Sequence, residues 1–215
     1  MISYIIKETI RGKTINRMLF NWELKKFEIG GRVLDLGAGT KKSSYLNFLK
    51  VGKQASIVSI DISQERKPDI VGNLEEALPV KDNEFDNVLC FNLLEHLFNY
   101  QGLIDESFRV LKQGGQAIGY VPYLVKFHPD PNDYFRYSKQ SLVKILSHPG
   151  FKNIQTIFIG AGPLTAAWSQ VEYFLPKYIR WLVTIAVLAL DKAVLKYKPI
   201  FKEKYPLGYI FSSRK

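Results

Sequence analysis

A chain of 215 residues with 47% hydrophobic and 23% charged residues is too apolar to be disordered and long enough for one domain with a sizeable core. Its one cysteine, Cys90, excludes an internal disulfide, and Lys7 and Glu8 interrupt the apolar start MISYIIKETI, so an uncleaved protein of a reducing, cytoplasmic compartment is expected. The net charge of +10 lies in the flanks: residues 31–162 hold 15 Lys/Arg against 14 Asp/Glu, residues 1–30 hold 6 against 3, and residues 163–215 hold 9 against 3. A near-neutral body argues against a nucleic-acid groove, whereas basic flanks beside apolar segments suit an anionic membrane surface or a solvated basic face.

In chain order, residues 4–27 repeat apolar positions at helical spacing and stop at Gly30-Gly31. Strand-like and helical runs then alternate. RVLDLG precedes a helix over residues 43–50; ASIVSID, DIVG and FDNVLCFN are strands; residues 103–111 form a helix with Gly114-Gly115 as its C-terminal cap. AIGYVP, the helix SKQSLVKIL and the strand NIQTIFIG follow. This alternation predicts a largely parallel sheet covered by helices. Residues 164–175 and 177–196 break the rhythm with two apolar helices, the second marked by a narrow polar stripe of Arg180, Thr184 and Asp191. Its unbroken apolar run, WLVTIAVLAL, is too short to span a bilayer, which leaves burial or an interfacial position. LGYIFSSRK is a final strand.

The stretch VLDLGAGTK reads as a buried strand entering a glycine turn. Gly37 and Gly39 permit close backbone approach to a ligand, and Asp61 closes the next strand 22 positions after Gly39, where a carboxylate can take ribose hydroxyls. The phosphate loop G-x-x-x-x-G-K-[ST] is absent, and the dinucleotide pattern fails at Lys42. The loop therefore indicates a nucleoside ligand and leaves its nature open.

Asp35-Leu36-Gly37-Ala38-Gly39, the Asp61 strand end, PVKDNEFDNVLCFNLLEHL and LKQGG, in that order over residues 31–160, resemble the class I S-adenosylmethionine-dependent methyltransferases, in their type 11-like small-molecule branch. The resemblance implies a Rossmann-like α/β fold with a seven-stranded sheet of order 3-2-1-4-5-7-6, strand 7 antiparallel, and S-adenosylmethionine as cofactor. Domains are then residues 31–162 plus 206–215, with a helical extension at 1–30 and an apolar, basic insertion at 163–205 between strands 6 and 7. The resemblance also implies that Asp35, Gly37, Ala38 and Gly39 hold the methionine end, Asp61 the ribose, Ile62 the adenine face, Asn73 and Leu74 the adenine edge, with Asn92 beside the methionine moiety. Two positions depart from the family pattern: Lys41 stands for a frequent third glycine and Asn73 for a frequent aspartate. Asn73 can still accept from the adenine amine through its amide oxygen.

Methyl transfer asks mainly for alignment, and a histidine base helps where the nucleophile is a hydroxyl. VPYLVKFHPDPNDYFRYS follows the fifth strand, where a parallel sheet places its crevice, and offers His128, Tyr134 and Arg136 as candidate catalytic residues. The alternative is that Asp133 and Arg136 pair to fix the loop, with Tyr134 and Tyr137 packed beneath. A D-Y-F-R-Y-S-like segment resembles members thought to act on sugars or cell-surface components. His148 reads as structural or exposed. Some relatives bind a divalent metal through E-x-x-E-H and a later histidine; here the string is N-x-x-E-H (Asn92, Glu95, His96), with His128 downstream, and no metal is expected.

The sixth strand's end places the insertion beside the pocket mouth, where Lys177, Arg180, Lys192, Lys196, Lys198, Lys202 and Lys204 would meet anionic headgroups. The expectation is a methyltransferase at the inner face of a membrane, acting on a lipid-linked, quinone-like or cell-surface glycan acceptor. The competing readings are a nucleic-acid methyltransferase, disfavoured by FNLL after the fourth strand, and a non-catalytic binding or interaction module.

Overall fold

A computed structural model describes residues 1–39 and 43–215, the Lys202 side chain aside, so the departures at Lys41 and Lys42 lie outside the described residues. The chain packs as two compact units: Met1–Glu23, Tyr123–Lys126 and Phe158–Tyr209 form one, and Leu24–Pro122, Phe127–Ile157 and Ile210–Lys215 form the other.

The larger unit carries the sheet. Its strands are β1 (Glu28–Ile29), β2 (Arg32–Leu36), β3 (Lys50–Val51), β4 (Ser56–Asp61), β5 (Ile70–Val71), β6 (Phe85–Phe91), β7 (Leu111–Pro122), β8 (Lys152–Ile159) and β9 (Gly208–Arg214). β1 and β3 pair separately; the other seven lie in the order β5-β4-β2-β6-β7-β9-β8. Numbered within that sheet, this is the expected 3-2-1-4-5-7-6. β2 runs parallel to β4 and β6, and β6 parallel to β7. Gly114 donates to the Lys215 carbonyl while Tyr123 donates to that of Leu207, so the last strand is antiparallel to β7. Val33, Leu34, Leu36, Val88, Leu89 and Ile118 are almost fully buried, as central strands covered on both faces require.

Between the strands lie α3 (Tyr100–Val110) and α4 (Lys139–Ser147), capped by Asn99 and Ser138. Two local expectations are corrected here. The stretch after the glycine loop is a 3-10 turn, Ser44–Phe48, rather than a helix. Gly114-Gly115 does not cap α3. The strand begins directly at Leu111, and the glycines sit in an irregularity where Phe85 pairs with Leu111 but Asn87 with Gln116.

In the smaller unit the expected single N-terminal helix is two, α1 (Ile2–Ile10) and α2 (Ile15–Leu24). Gly12 breaks it at a φ of 83°, and Thr14 Oγ1 accepts from Arg17 N as a fresh cap. The remaining helices are α5 (Pro163–Val171), α6 (Lys177–Tyr197) and α7 (Phe201–Lys204). Ile5, Ile15, Met18, Ala166, Trp168 and Leu207 form the core of this unit. Glu172 is buried there with both oxygens 3.1 Å from Ile15 N, and burial pushes its carboxyl up to about 7.

α6 faces inward with its polar stripe. Arg180, Thr184 and Asp191 are its buried residues. Thr184 Oγ1 accepts from Trp168 Nε1 at 3.0 Å, and Arg180 donates to the Leu175 carbonyl. Arg180 is therefore removed from the expected set of headgroup-facing cations. Phe174, Tyr178, Ile179, Leu182, Leu190 and Tyr197 are exposed instead, Phe174 at 85%. Among the described residues no helix is long and apolar enough to cross a membrane.

Candidate active site

The site grows from the turn after β2. Gly37 takes φ 64° and Gly39 φ 65°, both in the left-handed region. A Cβ on Gly37 would stand 2.8 Å from Leu93 Cδ1, so the close approach of the two loops needs glycine. At the end of β4, the buried Asp61 carboxylate accepts from Gly39 N at 2.9 Å and from Ser63 N at 2.8 Å. Asp61 thus fixes the glycine turn; its Oδ2 also faces Arg66 Nη1 at 3.5 Å, while Oδ1, bonded to Ser63 N, keeps a further lone pair for a hydroxyl donor. Asn92 follows the end of β6, at a φ of 51° that asparagine tolerates better than branched residues do.

These loops enclose a cavity of about 480 Å³, a volume usual for a nucleoside-sized ligand. Of the residues expected from sequence, Gly37, Asp61, Ile62, Asn73, Leu74 and Asn92 line it. Ile62 is 64% exposed, an apolar wall available to a flat heteroaromatic ring. The Asn73 amide is partly engaged, accepting from Glu75 N and donating to Glu76, which leaves its oxygen one acceptor position. Acidic and amide acceptors beside apolar Ile62, Leu74 and Leu93 suit an adenosine with an amino-acid tail.

Asp35, Ala38 and Gly39 are not among the described lining residues. Asp35 is buried, with Ser43 Oγ 3.2 Å away and the Tyr45 hydroxyl in a very short hydrogen bond to it. Burial pushes its carboxyl up to about 7, the Tyr45 and Ser43 bonds opposing the rise. The side chain expected at the methionine end therefore braces the strand.

Arg66, Glu75 and Asn132, which sequence reading missed, also line the cavity, as do His96 of the N-x-x-E-H string and Asp130 of the loop after the fifth strand. Arg66 reaches both oxygens of Asp130 at 3.1 Å and lies 3.5 Å from Asp61. The residues of this clasp are 64 positions apart, and neither has a local pattern that marks it.

None of the three candidate catalytic residues is among the described lining residues. The Arg136 guanidinium is held bidentately by Asp133, which it keeps well below the usual carboxylate range. Tyr137 is buried with its hydroxyl donating to the Leu94 carbonyl, whereas Tyr134 is exposed and stacks edge-on against Phe98. The loop is thus fixed by the Asp133–Arg136 pair. His128 Nδ1 lies 3.3 Å from Asp133 Oδ2. Its Nε2 faces Glu95, as does His96 Nε2, and the ligand-type atoms of Glu95, His96 and His128 lie within 4.8 Å of one another. His148 is exposed and far from this group in sequence, 3.6 Å from Asp105.

Known proteins agree with this geometry. The family described as "Methyltransferase domain" matches residues 34–119. The chain is 31% identical over 202 residues to the protein MJ0638 of Methanocaldococcus jannaschii, covering 89% of this chain and 78% of that one. It is 27% identical over 183 residues to the ubiquinone/menaquinone biosynthesis C-methyltransferase UbiE of Pseudomonas fluorescens, covering 66% and 69% of the two. A solved structure of an S-adenosylmethionine-dependent methyltransferase from Archaeoglobus fulgidus shares the fold at a TM-score of 0.60 and 17% identity, covering 99% of each chain. With the strand order, the glycine turn pinned by Asp61 and the nucleoside-sized cavity, these matches place the chain in the class I S-adenosylmethionine-dependent methyltransferase family.

Proposed function

We propose that this methyltransferase acts at an anionic membrane surface on a lipid-linked acceptor, quinone-like or glycan, from the cytoplasmic side. The observation that carries the reading is the orientation of α6. Its polar stripe is spent inside the unit, so Tyr178, Ile179, Leu182 and Leu190 are left outside together with exposed Lys177, Lys192, Lys196 and Lys198. Apolar side chains among lysines suit an interface of acyl chains and anionic headgroups, each lysine contributing about 1 kcal/mol near such a surface. The quinone C-methyltransferase names among the relatives are compatible with an acceptor of this kind.

The bound cofactor supplies an electrophilic methyl group on a sulfonium. Asp61 and Asn73 offer acceptors to the hydroxyls and amine of the adenosine, Ile62 and Leu74 its apolar walls, and Asn92 a polar group where β6 ends. Leu93, Leu97 and Pro131 add apolar surface to the cavity, and the Arg66–Asp130 clasp fixes its rim.

Flotation with vesicles, followed by transfer of labelled methyl groups into a lipid extract, tests the reading. Binding to anionic but not zwitterionic vesicles, with label entering the lipid fraction, supports it. Label entering only RNA or DNA, or no vesicle binding at low salt, contradicts it.

A further inference from the structure

The ion pair of Arg66 with Asp130 joins loops that leave strands far apart in the sheet. Arg66 follows β4, which ends at Asp61, and Asp130 follows β7, which ends at Pro122. In the order β4-β2-β6-β7 two strands separate them, so the strand ends stand about 14 Å apart at ordinary sheet spacing. Those two strands, β2 and β6, lead into Gly37 and Asn92, and all four residues line the one cavity. The pair therefore spans the crevice beyond the C-terminal strand ends, where an α/β sheet holds its ligand.

The guanidinium divides its donors between two carboxylates. Nη2 stands 3.1 Å from both Asp130 oxygens, while Nη1 faces Asp61 Oδ2 at 3.5 Å and would lie 3.8 Å from a Cβ on Gly39. A planar fork of fixed donors suits this double engagement. Both anchorages are firm. Asp61 is buried and accepts from Gly39 N and Ser63 N. Asp130 sits on an exposed tip between Pro129 and Pro131, and the chain on either side is tied down: His128 N donates to Asp133, the Asn132 carbonyl lies 2.5 Å from His96 Nδ1, and Tyr134 N donates to the Glu95 carbonyl. The Arg66 side chain is the part that can swing, since its rotation off Asp130 breaks no backbone hydrogen bond.

We propose that the Arg66–Asp130 pair is a bolt across the cofactor crevice, closing over S-adenosylmethionine and opening to release S-adenosylhomocysteine. The proposal rests on the cofactor occupying this cavity. Release of product is a step that such closures commonly set. The side chains of Arg66 and Asp130 are 39% and 61% exposed, so the bolt is partly screened by solvent, its effect is moderate, and it weakens with salt.

The test is dissociation of S-adenosylhomocysteine from the full chain, followed by surface plasmon resonance, with the equilibrium affinity from calorimetry. Asp130→Ala should release it about threefold faster, and Asp130→Glu at close to the wild-type rate. Raising salt from about 0.05 to about 0.5 M should speed release from the wild type and leave Asp130→Ala little changed. Arg66→Gln should act in the same direction and lose more affinity, because Asp61 loses a partner too. Asp130 is exposed, so its variants are expected to fold, which thermal unfolding checks. Equal release rates from the wild type and Asp130→Ala, or a salt effect of the same size in both, would overturn the bolt and leave the cofactor site standing. No S-adenosylhomocysteine binding to the folded wild type would overturn both.

Discussion

The carboxylate of Asp191 caps α5, accepting from Leu164 N, 27 residues earlier, at 3.0 Å and from Thr165 N at 2.7 Å. α5 has no cap from its own leading residues, and Gly162 at φ 150° admits the carboxylate where a Cβ would stand 2.6 Å from it. This contact turns the polar stripe of α6 inward and its apolar residues outward. Asp191→Ala is expected to cost on the order of 2 kcal/mol, since two buried N–H groups lose their acceptor, and Asp191→Asn less. Denaturant unfolding of the two variants checks the order.

The outward face of α6 predicts a surface effect separable from stability. Leu182→Glu and Leu190→Glu should each weaken binding to anionic vesicles about tenfold, while stability moves by no more than about 0.5 kcal/mol, because both side chains are exposed. Vesicle sedimentation alongside thermal unfolding separates the two. Raised salt should weaken wild-type binding as well, through the lysines.

Buried carboxyls set a pH dependence of stability. Burial raises Asp35 to about 7 from an ordinary 3.8, so the folded state binds its proton more tightly than the unfolded chain does. Its stabilising effect is complete below about pH 4 and is lost as pH rises through about 7. The loss is on the order of 4 kcal/mol. Glu172, raised to about 7 from 4.5 by burial, acts in the same direction and window. Asp35→Asn should flatten part of the fall between pH 4 and 8, and Asp35→Asn with Glu172→Gln most of it, as followed by unfolding across that range.

The sheet was legible because central strands leave near-continuous apolar runs such as RVLDL and FDNVLCF, and turns leave glycines. Gly37, Asp61, Asn73 and Asn92 could be placed because they sit at strand ends, where local sequence and position coincide. What escaped notice depends on contacts between distant residues. Arg66 meets Asp130 across 64 positions, and Asp191 meets Thr165 across 26. The stripe of α6 was visible, but which side of it faces inward is decided by Trp168 and the α5 N-terminus, which no periodicity reports. Asp35 stands out in the sequence because it leads into the glycine turn; that Tyr45 and Ser43 donate to its carboxyl is a contact no local pattern reports.

Gly37→Ala should damage both fold and site. The new Cβ meets Leu93 at 2.8 Å, and φ 64° strains alanine, so stability should fall by about 1–3 kcal/mol. Because Leu93 also lines the cavity, cofactor affinity should fall with it. Calorimetry below the unfolding midpoint distinguishes the two losses.

The most direct measurement is binding of S-adenosylmethionine and S-adenosylhomocysteine by calorimetry to the wild type and to Asp61→Ala. Asp61 lines the cavity and pins Gly39, so the account predicts micromolar binding to the wild type, weakened by about 2–3 kcal/mol or lost in the folded variant. No binding to the folded wild type, or equal binding to both, would contradict it.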